Sequence, residues 1–277
     1  MVKVIKPIRI EKINREVKIL RAVNGGPNIV NLLELVKSRE RNSAVGYIPS
    51  YIFEYIPRSL PITRYIRARK LKDKDARIYL YKILEALEFS HSQGIMHRDV
   101  KPLNIVINHE RKILKLIDWG LAEFYIPGQE YKVSVASRWY KGPELLVNDK
   151  LYHYSLDIWS LGCTMAEMIF KDGVFFKGSD NYDQLIQILS VLGEDDLYEY
   201  VNKYKLRIPK KAKKWMKGRF DKQDLNFFVE DNNKDMVSDE ALDLLGRMLV
   251  YDKNKRIKIK EALAHKYFDP IRTFIKE

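Results

Sequence analysis

His97-Arg98-Asp99-Val100-Lys101-Pro102-Leu103-Asn104 is followed, fourteen residues after Asn104, by Asp118-Trp119-Gly120 and later by Gly142-Pro143-Glu144. Phosphoryl transfer asks little covalent chemistry of a protein. It needs a carboxylate to orient the attacking hydroxyl, an amide and a second carboxylate to hold magnesium, and a cation beside the moving phosphate. Asp99, Asn104, Asp118 and Lys101 supply those four chemistries in that order. One histidine-arginine-aspartate triplet recurs by chance, whereas three linked motifs at this spacing seldom do.

Around that stretch, the chain's 277 residues are enough to bury a large core, and 46% hydrophobic with 31% charged residues is the balance of a folded chain. No run of eighteen apolar residues and no charged-then-apolar leader is present, which argues against a membrane span and a secretory signal and predicts a location in nucleus and cytoplasm. Cys163 is the single cysteine, so no internal disulfide forms. It lies in the apolar run 158–166 and reads as buried packing. The net charge of +13 suits nucleic acid, anionic membrane or acidic protein partners. Its densest stretch, Lys203 to Lys222, carries ten Lys or Arg against Asp221 alone; within it Ile208 to Lys214 reads first as a solvated loop, second as a nuclear localisation signal. A further basic run spans Arg64 to Lys74. Neither run interleaves aromatics regularly, so nucleic acid is a minor hypothesis.

Outward from the catalytic stretch, Val2 to Ile5 reads as a strand broken at Pro7. A helix carrying Ile13, Glu16, Val17 and Leu20 follows, stopped by Gly25-Gly26-Pro27. Ile29 to Val36 and Tyr47 to Tyr55 form an antiparallel pair across a charged turn, Lys37 to Gly46, and Pro57 and Pro61 mark a connector. From Asp75, Leu80, Ile83, Leu84, Leu87 and His91 share one helical face, with Gly94 placed to end it. Strands at 105–107 and 113–117 should frame the catalytic loop, leaving Asp118 at a strand end. Ser155 and Ser238 are predicted helix caps. His91, His109, His153 and His265 show no metal-ligand spacing with cysteine. There is no internal repeat.

Trp119 and Gly142 stand where most protein kinases carry phenylalanine and alanine. With the runs 25–29, 94–97, 118–125, 127–131, 135–138, 141–147, 157–163 and 180–185, they make the chain resemble the catalytic alpha subunit of casein kinase II, from Lys3 to about Phe268. The resemblance implies an α+β, protein-kinase-like bilobal fold. Residues 1–57 would be a truncated small N-terminal β lobe with one helix, a strand pair and the hinge; residues 58–277 would be a large, mainly helical C-terminal lobe with the catalytic loop and activation segment.

Carried over residue by residue, the resemblance implies that Asp99 orients the serine or threonine hydroxyl, Lys101 sits beside the transferred group, and Asn104 and Asp118 hold Mg2+. Lys3 would contact the ATP phosphates and pair with Glu16. Phe53, Glu54 and Ile56 would form the hinge against the base, and Met1, Val30, Val106 and Ile117 the apolar clamp around it. His97 would buttress the loop, and Glu144 and Arg256 would pair to anchor the activation segment. Arg138 and Lys141 match the surface that reads acidic protein substrates, although Ser134 and the stretch Arg9-Ile10-Glu11-Lys12 depart from the family's basic positions. GTP is an alternative nucleotide of that family, but Pro57-Arg58 departs from its usual asparagines. The implied partner is the regulatory beta subunit, in a tetramer of two alpha and two beta chains, and the family needs no phosphate on its activation segment.

No Gly-x-Gly-x-x-Gly occurs, and the chain begins two residues before Lys3. Backbone amides of such a loop ordinarily cover the nucleotide. A fragment or mis-started product of an active kinase, a truncated weak kinase, and a pseudokinase serving as a scaffold or binding module are the three readings. The joint presence of Asp99, Lys101, Asn104 and Asp118 favours catalysis.

Overall fold

Val2–Val4 (β1) pairs antiparallel with Tyr47–Phe53 (β3), which pairs on its other side with Leu32–Arg39 (β2), giving a sheet of order β1-β3-β2. The computed structural model describes residues 1–5, 9–39, 47–170 and 173–274. Pro7 and most of the turn expected between β2 and β3 therefore lie outside the described residues. Alternation sets the sheet's faces: Tyr51 and Phe53 are buried, whereas Val2 and Val4 are exposed. Ile10–Ala22 (α1) turns Ile13, Val17 and Leu20 inward and brings Glu16 into the same buried face. It ends at Val23, and Gly25 then takes the left-handed φ of +77° that a side chain disfavours.

Beyond the sheet, Leu60–Pro61 (β4) joins Ile105–Asn108 (β6) and Ile113–Leu116 (β7) in a second small sheet. Pro61, expected in a connector, thus closes a short edge strand, a place where its missing N–H costs no ladder bond. Thr63–Arg67 (α2) carries the first arginines of the second basic run. Asp73–Ser92 (α3) has the predicted apolar face and ends before Gly94 at φ +74°. Ile95–Met96 (β5) pairs with Glu123–Phe124 (β8) and leads straight into His97.

Pro143–Leu146 (α4) and Ser155–Phe170 (α5) follow, and all sixteen residues of α5 are buried. A helix apolar on every side belongs at the centre of a helical body. Around it lie Asn181–Leu192 (α6), Asp195–Lys203 (α7), Lys210–Trp215 (α8), Asp239–Met248 (α9) and Ile259–Leu263 (α10). Ser238 caps α9 as expected, its Oγ accepting the Ala241 N–H. Ser155 does not cap α5: its hydroxyl has no partner, and its N–H donates to His153 Nδ1 at 3.3 Å. Part of the supposed lysine-rich loop is α8, where buried Ala212 gives the six-residue helix, otherwise four lysines and Trp215, a packing face against α6. About 46% of residues are helical and 11% in strands, a mixed fold as expected. Among the described residues no helix is long and apolar enough to cross a membrane.

Candidate active site

Two backbone positions in the left-handed region bracket the site, Arg98 at φ +64° and Asp118 at φ +61°. Neither is glycine, so the surrounding bonds must hold them there. Asp157, fully buried in the first turn of α5, does so for the first: its carboxylate accepts the N–H of His97 at 2.8 Å and of Arg98 at 2.7 Å, and lies 2.8 Å from His91 Nε2. Burial alone would raise the pKa of Asp157, but His91, His97 and the backbone donor outweigh it and hold the carboxyl below its ordinary value. Nothing in the sequence singles out Asp157 for this role, because its bonds to His97 and Arg98 span about 60 residues.

His97 is wholly buried, and its Nδ1 accepts the Asp99 N–H at 3.2 Å while Nε2 faces the Ile117 carbonyl at 3.2 Å. That pattern suits the neutral ring, and burial keeps its pKa below the usual histidine value. Trp119 packs edge-on to it with ring centres 4.7 Å apart. His97 is thus a brace for the loop, as expected.

Asp99 collects the loop. Its Oδ2 accepts Lys101 Nζ at 2.7 Å and Asn104 Nδ2 at 3.0 Å, and its Oδ1 accepts the Ser137 N–H at 2.8 Å and hydroxyl at 2.9 Å. Lys101 Nζ also donates to Ser137 Oγ at 2.6 Å. Ser137 was not singled out from the sequence, because nothing local marks a serine 38 residues from its acceptor. Asn104 directs its amide nitrogen at Asp99, which leaves its Oδ1 without a partner among the described residues. Across the site, Lys3 Nζ lies 3.1 Å from Glu16 Oε1, as expected, and 2.9 Å from Asp118 Oδ1. Burial would lower the Lys3 pKa, yet the hydrogen bond to Asp118 and the charges of Glu16 and Asp118 raise it; Asp118 is lowered in return.

The remaining expected residues divide. Phe53 is bound at both backbone groups to Met1, N–H to O at 2.8 Å and O to the terminal amine at 2.7 Å, so only its side chain is left to line a cleft. Glu54 uses its N–H on Asn31 and its carboxylate on Asn31 and Lys115, which leaves its carbonyl free; the Ile56 N–H is likewise free among the described residues. Val30 is 3% exposed and belongs to the core, whereas Val106 and Ile117 are only partly buried and Met1 is exposed. Arg138 is exposed and Lys141 half-buried, and neither has a carboxylate partner among the described residues. Burial, then the charge of Arg138, keeps Lys141 below its usual pKa.

A family model described as protein kinase domain matches residues 2–268. The chain belongs to the protein kinase family. As a kinase it is a phosphotransfer enzyme that uses ATP and a divalent metal. The residues present fit such a metal: the half-exposed Asp118 carboxylate and the free Asn104 Oδ1 are oxygen donors of the type a hard cation takes. No three His, Cys, Asp or Glu side chains cluster as a closed metal cage among the described residues. An open pair suits a cation that also binds phosphate oxygens.

Two outcomes test this kinase site. Ser137→Ala removes one donor to Asp99 and one acceptor from Lys101, so kcat is expected to fall about 10-fold or more, the scale of a charge-assisted bond. The KM for ATP stays unchanged, because Ser137 touches neither Lys3 nor Asp118; steady-state kinetics would expose an equal effect on both. Nearby, Glu167 and Lys101 line one cavity of about 280 Å³. Burial pushes the Glu167 carboxyl up to about 7, against the Tyr140 hydroxyl and Arg67, which lower it. Between about pH 4.5 and 7 the folded state then holds the extra proton, so stability falls as pH rises through that window. Glu167→Gln is expected to stabilise the kinase by about 1–3 kcal/mol at pH 8 and scarcely at pH 5; melts with equal differences at both pH values would refute it.

Proposed function

We propose that this chain is a serine/threonine kinase of the casein kinase II alpha type, with the two-lobed arrangement divided near residue 57, transferring the ATP γ-phosphate to Ser or Thr in acidic sequence contexts. The observation that carries the substrate reading is the pair Arg138 and Lys141. Among the described residues both are cations without carboxylate partners, on the segment whose Ser137 touches Asp99. An acidic peptide would relieve their mutual repulsion. The hydroxyl of such a peptide would lie at Asp99, which orients it and takes its proton, while Lys101 offsets charge on the moving phosphoryl group. Bound Mg2+ would supply charge neutralisation at the phosphates from Asn104 and Asp118. Lys3 would hold the phosphates, kept in place by Glu16.

The test is transfer from ATP and Mg2+ to a serine peptide followed by Glu and Asp, beside its tyrosine and lysine-rich counterparts. Preference for the acidic serine peptide is expected. Equal use of all three would overturn the substrate reading, and no transfer at all would favour the scaffold alternative. GTP in place of ATP tests the hinge departure at Pro57-Arg58, with much weaker use expected. The regulatory beta subunit and a nuclear and cytoplasmic location belong to the same proposal.

Activity without phosphorylation is part of it too. Arg98 of the catalytic loop donates to Glu123 Oε2 at 3.4 Å, and Arg15 of α1 donates to the same oxygen at 2.8 Å. Arg98 also bonds the Leu121 carbonyl and the Tyr152 hydroxyl. Glu123 thus gathers the cations that a phosphate would otherwise collect. Glu123→Ala is expected to lower kcat roughly 10-fold, and unchanged turnover would remove Glu123 from this role.

A further inference from the structure

Of the ten Lys or Arg between Lys203 and Lys222, four hold carboxylates: Lys203 on Asp252, Lys211 on Asp180, Arg219 on Asp195 and Asp221, and Lys222 on Asp196. The others, Lys205, Arg207, Lys210, Lys213, Lys214 and Lys217, are exposed and have no carboxylate partner among the described residues. The one acid of the stretch, Asp221, is already taken by Arg219. In α8 only Ala212 is buried, and all four of its lysines are exposed. A surface of one sign that its own acids leave unbalanced attracts a partner of the opposite sign.

The place of α8 in the fold says which partner. Trp139, between Arg138 and Lys141, donates its indole N–H to the Gly178 carbonyl at 3.0 Å, and Gln184 Nε2 reaches the Trp139 carbonyl at 3.4 Å. Lys177, just before Gly178, is exposed and also lacks a carboxylate among the described residues. Two residues after Gly178, Asp180 caps α6 and holds Lys211 of α8 at 3.1 Å. The start of α6 thus links the segment whose Ser137 touches Asp99 to α8. Unmatched cations stand on each element along that path, from Arg138 and Lys141 through Lys177 to α8.

A polymer that follows the path must place a hydroxyl at Asp99 and carry negative charge beyond it. A protein with acidic residues does both. A single nucleic-acid strand would need a row of open rings for its bases. The rings beside this surface, Tyr182 and Trp215, each carry the Lys211 ammonium on one face, 4.7 and 5.2 Å from the ring centres.

We propose that the lysines of α8 dock a second acidic tract of the protein substrate, lying beyond the acids that Arg138 and Lys141 meet. Such docking rests on the acidic-substrate reading and adds a contact that a short peptide does not reach. Two contacts on one chain raise the effective concentration of the second.

Steady-state kinetics of the full chain compare a short acidic serine peptide with the same peptide bearing a glutamate tail at its N-terminus or its C-terminus. A tail of about ten residues spans roughly 30 Å when extended. With one of the two tails KM is expected to fall about tenfold, the scale of several exposed ion pairs, with kcat unchanged. Combining Lys210→Ala, Lys213→Ala, Lys214→Ala and Lys217→Ala should erase that gain and leave the short peptide's kcat and KM as they were, circular dichroism confirming the fold. Salt at about 0.5 M should shrink the gain as well. The same loss of charge at Arg69, Lys70, Lys258 and Lys266 should keep it. No gain from either tail, a gain that survives the α8 changes, or one lost equally in the control variant overturns the docking surface. Single-stranded DNA that binds the wild type and not the α8 variant, with no tail effect, assigns the surface to nucleic acid and overturns it too. Preference of the short acidic peptide over its neutral counterpart is read separately and tests Arg138 and Lys141 alone.

Discussion

Asp99→Asn is expected to lower kcat for peptide phosphorylation by about 10²–10⁴-fold, the range that a positioned acid-base group contributes. The carboxylate accepts from four donors at 2.7–3.0 Å. Asparagine keeps the shape but turns one of its two acceptor faces into a donor, opposite either the Ser137 pair or Lys101 and Asn104. The fold should lose about 1–3 kcal/mol from that mismatch, which leaves it folded at 25 °C. Kinetics and a melt on the same preparation therefore separate chemistry from stability. A rate reduced only in proportion to the folded fraction, or not reduced at all, would remove Asp99 from the reaction.

The largest stability effect belongs to Arg256→Ala. Nη1 and Nη2 of Arg256 each lie 2.6 Å from a different oxygen of Glu144, and both side chains have no solvent exposure. Arg256 donates further to the carbonyls of Val250, Ser155 and Tyr251. Truncating one partner of a buried pair leaves an uncompensated charge and costs about 3–5 kcal/mol. For a domain of this size that lowers Tm by about 10 °C. Arg256→Met combined with Glu144→Leu should recover much of the loss, since the second change removes the stranded carboxylate. Calorimetric melts of the two variants check it; a single variant that melts within about 2 °C of wild type would show the pair to be relaxed by water.

Elements with strong local signals were legible in advance. The α3 face, Ser238 as a cap, Gly25 and Gly94 as stops, and the strands around the catalytic loop all follow from periodicity and terminal chemistry. The failures have local causes as well. Ser155 has the right type for a cap, yet His153 Nδ1 takes its N–H and the hydroxyl is left over. Lys210 to Lys214 read as solvated loop because the lysines mask Ala212, whose burial makes α8 worthwhile.

The candidate site divides along the same line. Asp99, Lys101, Asn104 and Asp118 lie within twenty residues of one another, so their order alone identifies the chemistry. Ser137 and Asp157 reach Asp99 and its loop from 38 and about 60 residues away. No pattern in the chain announces such partners. Residue types and short spacings determined the helices, the loop and the reaction class, because those depend on backbone geometry and on groups that neighbour each other along the chain. Tertiary packing alone decided which buried acid anchors the loop, which hydroxyl braces Asp99 and that α8 lies against α6. Hydrogen bonds are short, and only the folded core brings such distant donors and acceptors within reach.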